Sequence, residues 1–201
     1  SPNACTPNID QLASEGMRFE SCFSAVAMCA PLRMQLYTGL HPVRSGAWPN
    51  HSRVKPDVRS IVHYLEPLGY RVGLSGKKHI HPAENFPFDE VKPALQKESY
   101  LEYMNANEAP FALFICSNEP HFPWNRGDST HFHPEKLELY ADQVDTPEFR
   151  RALCRYYAEI EYLDMQVGEA LAALKESGKG HHTLVMFATE QGAQIPGAKW
   201  T

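Results

Sequence analysis

Three short, mostly apolar runs of strand length most strongly limit the folds open to this chain of 201 residues. They cover 70–74, 111–116 and 183–188, and helix-type patterns stand before the first run and between the last two. Strands that are apolar on both faces are typical of parallel sheets covered by helices. The order of the elements therefore predicts an α/β fold with a mostly parallel central sheet flanked by helices.

Apolar residues at helical spacing predict where the helices lie. One set follows Pro56 and stops before Gly69, and a second set runs through 147–177. A shorter helix is expected over 11–16, where a glycine ends the pattern. Three acidic residues of the long helix are most simply its solvated face: Glu159, Glu161 and Asp164.

The segments between these elements are less regular. Residues 17–23 alternate between apolar and polar side chains and predict a strand or an extended segment that runs towards Cys29. Residues 80–110 and 122–146 are rich in Pro, His and Asn, and predict long irregular loops. We see no internal repeat, and the length suits one ordinary domain with a sizeable core.

Charge and cysteine content exclude several classes of protein. The net charge of −5, without a basic stripe, argues against a nucleic-acid-binding protein held by phosphate contacts. No apolar run approaches the length of a membrane span. Five cysteines, an odd number with no C-x-x-C pair, indicate neither a disulfide framework nor a zinc knuckle.

Histidine pairs and one glycosylation pattern carry weaker signals. His131 and His133 resemble zinc ligands, as do the two histidines at 181–182, but neither pair has a Cys or acidic partner at a recognised spacing. We interpret them as surface loop residues. Asn50 begins an Asn-x-Ser sequence, which is a glycosylation site by pattern alone.

The segment 27–39 combines a cysteine, a proline and an arginine at the start of a predicted helix. Pro31 suits the first helical turn, and Gly39 suits the position after the last one. Cys29 is therefore expected just before a helix N-terminus, where free backbone N–H groups and the helix dipole favour an anion. Arg33, one turn further on, adds a permanent cation. A reactive cysteine and a buried cysteine beside a helix cap both fit this pattern.

Each apolar run leads into ionisable residues. Gly-Lys-Lys-His follows the first run, Pro-His-Phe-Pro comes shortly after the second, and Glu-Gln-Gly follows the third. Ligands bind at the carboxyl ends of strands in open parallel sheets, so these groups are expected to meet on one rim near Cys29. One histidine after a strand is more often structural, but three clusters in step with three strands favour a functional site.

The Cys-x-Pro-x-Arg pattern at 29–33, followed by a helix and Thr-Gly, resembles the signature of the type I sulfatases of the alkaline-phosphatase-like superfamily. The residues at 6–16 and the three strand-end clusters also resemble sulfatase blocks, in the family's order. Three positions depart from the commonest form of these blocks: Leu32, Tyr37 and Val72. The resemblance implies that a formylglycine-generating enzyme oxidises Cys29 to formylglycine, whose hydrate is the nucleophile.

The resemblance also implies a role for each polar residue. Arg33 and Lys77 would neutralise the sulfuryl oxygens, and His79 would bind the hydrate and act as the base when sulfate is released. His121 would contact the sulfate. Lys199 would neutralise the sulfate and the leaving oxygen. The implied reaction is the hydrolysis of sulfate esters or sulfamates, driven mainly by electrostatic stabilisation.

Glu190-Gln191-Gly192 takes the place of the Asp-Asn-Gly or Asp-His-Gly that supplies metal ligands in this family. Glu190, Gln191 and the modified Cys29 are therefore the candidate metal ligands. Ca²⁺ tolerates varied oxygen geometry, whereas Mg²⁺ is less forgiving of the longer glutamate. The family's first strand carries two metal-binding aspartates that have no counterpart here. Residues 1–201 are thus expected to be a partial catalytic domain, without that strand and without the C-terminal part.

Lys78 and the following segment 82–89 look like the heparan N-sulfatase (N-sulfoglucosamine sulfohydrolase) branch, as does the ending at 191–201. This likeness implies a sulfated saccharide substrate, an amino sugar of the glycosaminoglycan type, and a secreted, periplasmic or lysosome-like location. Lys78 fits equally well as a solvated surface lysine. Two other functions stay open: a phosphonate or phosphodiester hydrolase of the same superfamily, and a non-catalytic sulfated-glycan-binding member or inactive fragment.

Overall fold

The computed structural model describes residues 2–195. Its three strands are β1 (Arg71–Gly76), β2 (Asp89–Glu90) and β3 (Phe111–Cys116). Its α-helices are α1 (Pro7–Glu15), α2 (Cys29–Thr38), α3 (Pro42–Ser45), α4 (Ile61–Leu65), α5 (Lys97–Asn105) and α6 (Pro147–Glu176). Short 3-10 turns cover Glu66–Leu68, Ala83–Asn85, Pro134–Lys136 and Gly180–His182.

The strands of the described residues form a parallel sheet in the order β2-β1-β3. β1 pairs with β3 along its whole length, from Arg71 opposite Phe111 to Gly76 opposite Cys116. β2 adds two residue pairs on the other edge of β1. The α/β prediction is confirmed, and the carboxyl ends of β1 and β3 lie side by side.

Helices cover both faces of this sheet. On one face, Tyr37 of α2 packs edge-on against Phe114 of β3, with ring centroids 5.2 Å apart, in a cluster that includes Leu74 of β1. On the other face, Tyr100 of α5 and Leu174 of α6 belong to a cluster against the opposite side of β3. Burying these apolar side chains holds α2 close to the ends of the strands.

Several sequence predictions are confirmed with small shifts. The long helix occupies Pro147–Glu176, and its N-cap Thr146 accepts a hydrogen bond from the backbone N–H of Phe149 at 3.2 Å. The first two apolar runs are β1 and β3. Helix α2 ends at Gly39, whose φ of 67° is the left-handed conformation that glycine adopts most easily. No helix of the described residues is long and apolar enough to span a bilayer.

The third predicted strand is wrong. Residues 183–188 are irregular here, and Leu184 and Met186 are 80% and 81% exposed. Among the described residues this run pairs with neither edge of the sheet, so its backbone lacks the hydrogen bonds that define a strand. A run of apolar residues is compatible with a buried strand, but a strand forms only where its backbone can pair with a second strand.

Other boundaries also differ from the prediction. Helix α4 begins only at Ile61, because Ser60 and His63 form a capping box there. The segment 17–23, predicted as a strand or an extended segment, is irregular and exposed and forms no strand. Helix α5 lies inside the predicted loop 80–110. Burial of Tyr100 and Met104, which lie one turn apart, stabilises this short amphipathic helix.

The solvated acidic face predicted for the long helix is wrong for two of its three residues. Glu159 and Asp164 are 0% and 2% exposed, and only Glu161 is partly open to solvent. Asp164 accepts hydrogen bonds from the backbone N–H groups of Asn8 at 3.2 Å and Ile9 at 2.8 Å. It therefore caps the N-terminus of α1, whose first N–H groups have no partner within their own helix.

We expect Asp164→Ala to destabilise the fold by about 3 kcal/mol, because the N–H groups at the start of α1 lose a charged acceptor. Urea unfolding followed by circular dichroism measures this change. Asp142→Ala removes an exposed carboxylate and is the matched control. A loss below about 0.5 kcal/mol, the range of ordinary surface substitutions, would contradict the capping role.

Candidate active site

Cys29 lies in the first turn of α2, where the sequence placed it to within one residue. Met28 is the N-cap in extended conformation, and Cys29 itself is only 2% exposed. The backbone N–H of Ala30, one of the free donors of this helix end, reaches the side-chain oxygen of Asn50 at 3.4 Å. The thiol thus lies at the positive end of a buried helix.

Two side chains from separate segments contact the thiol. Lys77 Nζ lies 3.7 Å from Cys29 Sγ, and Gln191 Nε2 lies 3.3 Å from it. Lys77 directly follows β1, and its backbone N–H donates to the carbonyl oxygen of Cys116 at the end of β3. Parallel pairing of β1 and β3 therefore delivers the lysine to the helix end, as the strand-end argument predicts.

Arg33 ties these segments together one turn beyond the cysteine. Its side chain is 6% exposed, and its Nη1 donates to the carbonyl oxygen of Lys77 at 2.9 Å. Its Nη2 forms an ion pair with Glu190. The planar guanidinium can make both contacts at once, which an ammonium cannot do in the same geometry. Arg33 therefore fixes the segments that carry Lys77 and Gln191.

The residues at 190–191 fit part of a metal shell. Gln191 Oε1 is buried and has no hydrogen-bond partner among the described residues, so it is an oxygen left open for a hard cation such as Ca²⁺. Glu190 can offer its second carboxylate oxygen, since the first is paired with Arg33. Residues 2–195 hold no cluster of three or more His, Cys, Asp or Glu side chains suited to a metal.

His79 contacts a residue that the sequence did not identify. Its Nε2 lies 3.0 Å from Nδ1 of His51, and the two ring centroids are 4.7 Å apart. Burial, followed by the nearby His51, lowers the pKa of His79 to about 4, and Lys77, Arg33 and His81 act in the same direction. At neutral pH, His79 is an uncharged imidazole.

The ring of His79 is expected to titrate with a midpoint near pH 4 in ring-nitrogen NMR spectra. Because this pKa lies below the ordinary value of 6.5, the unfolded chain binds the proton first, and stability falls as the pH is lowered from about 6.5 to about 4. Replacing Lys77 by methionine should raise the midpoint, since it removes a neighbouring positive charge. A midpoint at or above 6.5 in the native protein would contradict this environment.

The other predicted residues make contacts away from the thiol or lie beyond residues 2–195. His121 follows β3, and its Nδ1 contacts the carbonyl oxygen of Phe122 at 2.6 Å. Lys199 lies outside residues 2–195. Lys78 forms an ion pair with Glu90 at 3.0 Å and is half exposed, which favours the surface interpretation. His131 pairs with Glu161 rather than forming a zinc site with other ligands.

Sequence reasoning missed Asn50 and His51 as parts of this site. The only signal was the glycosylation pattern, which concerns solvent-facing asparagines, whereas Asn50 is partly buried against α2. No spacing rule connects position 51 with position 79, because both lie in irregular segments brought together by the fold. Together with Cys29 and Lys77, these residues lie around an electropositive helix end, which suits an anion.

Comparison with known proteins gives consistent results. The chain is 29% identical over 202 residues to an ulvan-active sulfatase of Formosa agariphila, a match that covers 93% of this chain and 40% of that protein. It is 27% identical over 236 residues to human N-sulphoglucosamine sulphohydrolase, covering 96% and 47% of the two chains. The chain thus spans less than half the length of these relatives.

The fold also matches solved structures. A Bacteroides thetaiotaomicron protein of glycosaminoglycan metabolism superposes with a TM-score of 0.74 at 21% identity, over 87% of this chain and 51% of that one. The model of the sulfatase family matches two overlapping segments, residues 1–97 and 91–200. These segments include Cys29, Arg33 and the strand ends that meet around them. The chain belongs to the sulfatase family.

Proposed function

We propose that the protein hydrolyses sulfate esters or sulfamates of sulfated saccharides, with the nucleophile made from Cys29. The observation that carries this proposal is the cation and amide donor held against the thiol at a helix N-terminus, Lys77 at 3.7 Å and Gln191 at 3.3 Å. Sulfatases as a family generally use a formylglycine and a divalent metal. A thiol in this position is where such a modified side chain would stand.

The formylglycine hydrate supplies two hydroxyl groups on one carbon, one to attack sulfur and one to expel sulfate afterwards. The residues of this chain stabilise the negative charge that develops around it. Lys77 places a positive charge at the nucleophile, and the positive end of the α2 helix dipole lies at the same place. Arg33 holds these groups in register through Lys77 and Glu190, so little reorganisation is needed when charge develops.

A calcium ion is the cofactor that the donor set favours. Gln191 Oε1 and the second oxygen of Glu190 would hold it, and both are the hard oxygen ligands that Ca²⁺ prefers. When bound, the ion would supply further positive charge to the sulfuryl oxygens. Because Gln191 also contacts Cys29 Sγ, the same side chain would link the metal to the nucleophile.

The relatives indicate the substrate class. One is named for activity on ulvan and another for N-sulphoglucosamine, both of which are sulfated saccharides. We infer a sulfated sugar, with an N-sulfated or O-sulfated amino sugar of the glycosaminoglycan type as the first compound to assay. A formylglycine-generating enzyme is the partner required for maturation. A secreted, periplasmic or lysosome-like location stays a prediction.

The function is tested with the complete protein, made together with a formylglycine-generating enzyme and assayed with Ca²⁺ present. The panel contains N-sulfoglucosamine, glucosamine 6-sulfate, 4-nitrophenyl sulfate, and phosphate and phosphonate esters of 4-nitrophenol. We expect sulfate release from a sulfated compound and much slower release from the phosphorus esters. Faster hydrolysis of the phosphorus esters would favour the related hydrolase, and saccharide binding without turnover would favour the non-catalytic reading.

Adjacent lysines offer a matched pair of variants for this assay. Lys77→Met should lower kcat/KM by about 10²–10³-fold, because it removes a charged donor at the place where negative charge develops. Lys78→Met should change it by less than about threefold, since Lys78 pairs with Glu90 on the surface. Equal effects of the two variants would contradict the assigned position of Lys77.

A further inference from the structure

A chain of polar contacts leads from the helix end that carries Cys29 to the ring of His79. The backbone N–H of Ala30 lies 3.4 Å from Asn50 Oδ1, and Asn50 Nδ2 lies 3.4 Å from His51 Nε2. The other ring nitrogen, His51 Nδ1, lies 3.0 Å from His79 Nε2. Four consecutive groups are thus joined, and each middle one uses both of its polar atoms.

The first contact fixes the direction of all the others. A backbone N–H can only donate, so the Asn50 atom that faces Ala30 must be the oxygen. The Asn50 amide nitrogen then donates to His51 Nε2. Because His51 Nε2 accepts this hydrogen bond, it carries no proton, so the ring proton of His51 is on Nδ1 and is donated to His79 Nε2. Since His79 Nε2 accepts from His51, the proton of neutral His79 is on Nδ1.

We propose that Asn50 and His51 are positioning residues that set the ring proton of His79 on Nδ1. His79 then offers a hydrogen-bond donor, rather than an acceptor, on the one ring nitrogen that His51 leaves open. This deepens the proposed function, on which its catalytic meaning rests. The family likeness puts His79 at the nucleophile as a base, and an N–H at Nδ1 would make it a hydrogen-bond donor there instead.

The backbone supports a built arrangement rather than a chance contact. His51 and His79 have φ values of 60° and 47°, in the left-handed region that non-glycine residues seldom adopt. They are two of only three non-glycine residues with positive φ among residues 2–195, the other being Leu95. Each such conformation costs on the order of 1–3 kcal/mol, so the surrounding structure holds the backbone at both positions against that cost.

Asn50→Asp is the sharpest test, because it exchanges the amide NH₂ for an oxygen at nearly constant shape. Aspartate still accepts from the N–H of Ala30, but it also accepts from His51 Nε2. The proton of His51 is then on Nε2, so His51 Nδ1 accepts from His79 Nε2 instead of donating to it. We expect ring-nitrogen NMR spectra at pH 8, well above the His79 pKa of about 4, to show the Nδ1–H form of His79 in the native protein. The Asn50→Asp variant should show the Nε2–H form. Asn107→Asp adds a charge at an exposed position and is the control.

His51→Phe keeps an aromatic ring and removes both nitrogens, so it should leave His79 as a mixture of the two forms. The proposal is overturned if native His79 carries its proton on Nε2. It is equally overturned if Asn50→Asp and His51→Phe both leave the Nδ1–H form unchanged while amide spectra show that both variants are folded. Retention of the native form in the Asn107→Asp control is required for the reversal to support the proposal.

Measurements of activity test the same proposal independently of the NMR spectra. If sulfate esters are hydrolysed, Asn50→Asp should lower kcat by about tenfold, the effect of one misdirected hydrogen bond, with little change in KM, and should shift the pH profile. The two failures are distinguishable. The expected proton position without any sulfate release would overturn the proposed function alone, whereas sulfate release with the proton on Nε2 would overturn this inference alone.

Discussion

Replacement of Cys29 by alanine should abolish turnover of sulfated substrates, with a loss of about 10⁴-fold or more in kcat, because the variant has no side chain from which a nucleophile can be made. Cys29→Ser should differ in kind. A serine hydroxyl can attack sulfur once, but it has no second hydroxyl on the same carbon to expel the sulfate. At most one equivalent of product per protein should appear, which rapid-mixing assays and the mass of the intact protein measure.

The matched control is Cys22→Ser, which changes an exposed thiol in the irregular segment before α2. It should leave kcat unchanged. Continuous turnover by Cys29→Ser at a rate near that of the native protein would show that the nucleophile lies elsewhere. Unfolding measurements on both Cys29 variants separate loss of chemistry from loss of structure, since Cys29 is buried.

Arg33→Lys is expected to have the second largest effect, a loss of about 10²–10³-fold in kcat/KM. Lysine keeps the positive charge, but it cannot donate to the carbonyl oxygen of Lys77 and pair with Glu190 at the same time. The segments that carry Lys77 and Gln191 would then no longer be held at fixed positions against Cys29. Steady-state kinetics on the best substrate of the panel measures this loss.

Arg44→Lys, at an exposed position of α3, is the control for an arginine-to-lysine exchange. Arg33→Lys should also lower the free energy of unfolding, because the ion pair between buried Arg33 and partly exposed Glu190 is weakened. Activity within about threefold of the native value would show that charge alone suffices at this position. The bridging role of Arg33 would then be wrong.

Much of the site could be predicted because its residues depend on local rules. Pro31 and Gly39 bound a helix by their own backbone preferences, and this places Cys29 and Arg33 one turn apart. Lys77 follows an apolar strand, and parallel pairing brings it to the same end of the sheet. These inferences need only short stretches of sequence, and they give the correct neighbours around the thiol.

The parts that could not be predicted depend on partners far along the chain. Asp164 looks like a solvated acid until the start of α1, about 155 residues earlier in sequence, is placed against it. The apolar run at 183–188 looks like a strand, but pairing is a property of two segments. Asn50 and His51 join the site through contacts between irregular segments, which no periodicity reports.

The proposed function depends above all on the oxidation of Cys29 to formylglycine, which makes the nucleophile. The most direct measurement is the mass of the peptide that contains Cys29, taken from the complete protein made with a formylglycine-generating enzyme present. We predict the mass of the aldehyde, with its hydrate, in place of the thiol, and the Cys29→Ala protein provides the blank. Unmodified cysteine under these conditions, in a protein that nonetheless releases sulfate, would contradict a nucleophile made by oxidation of Cys29.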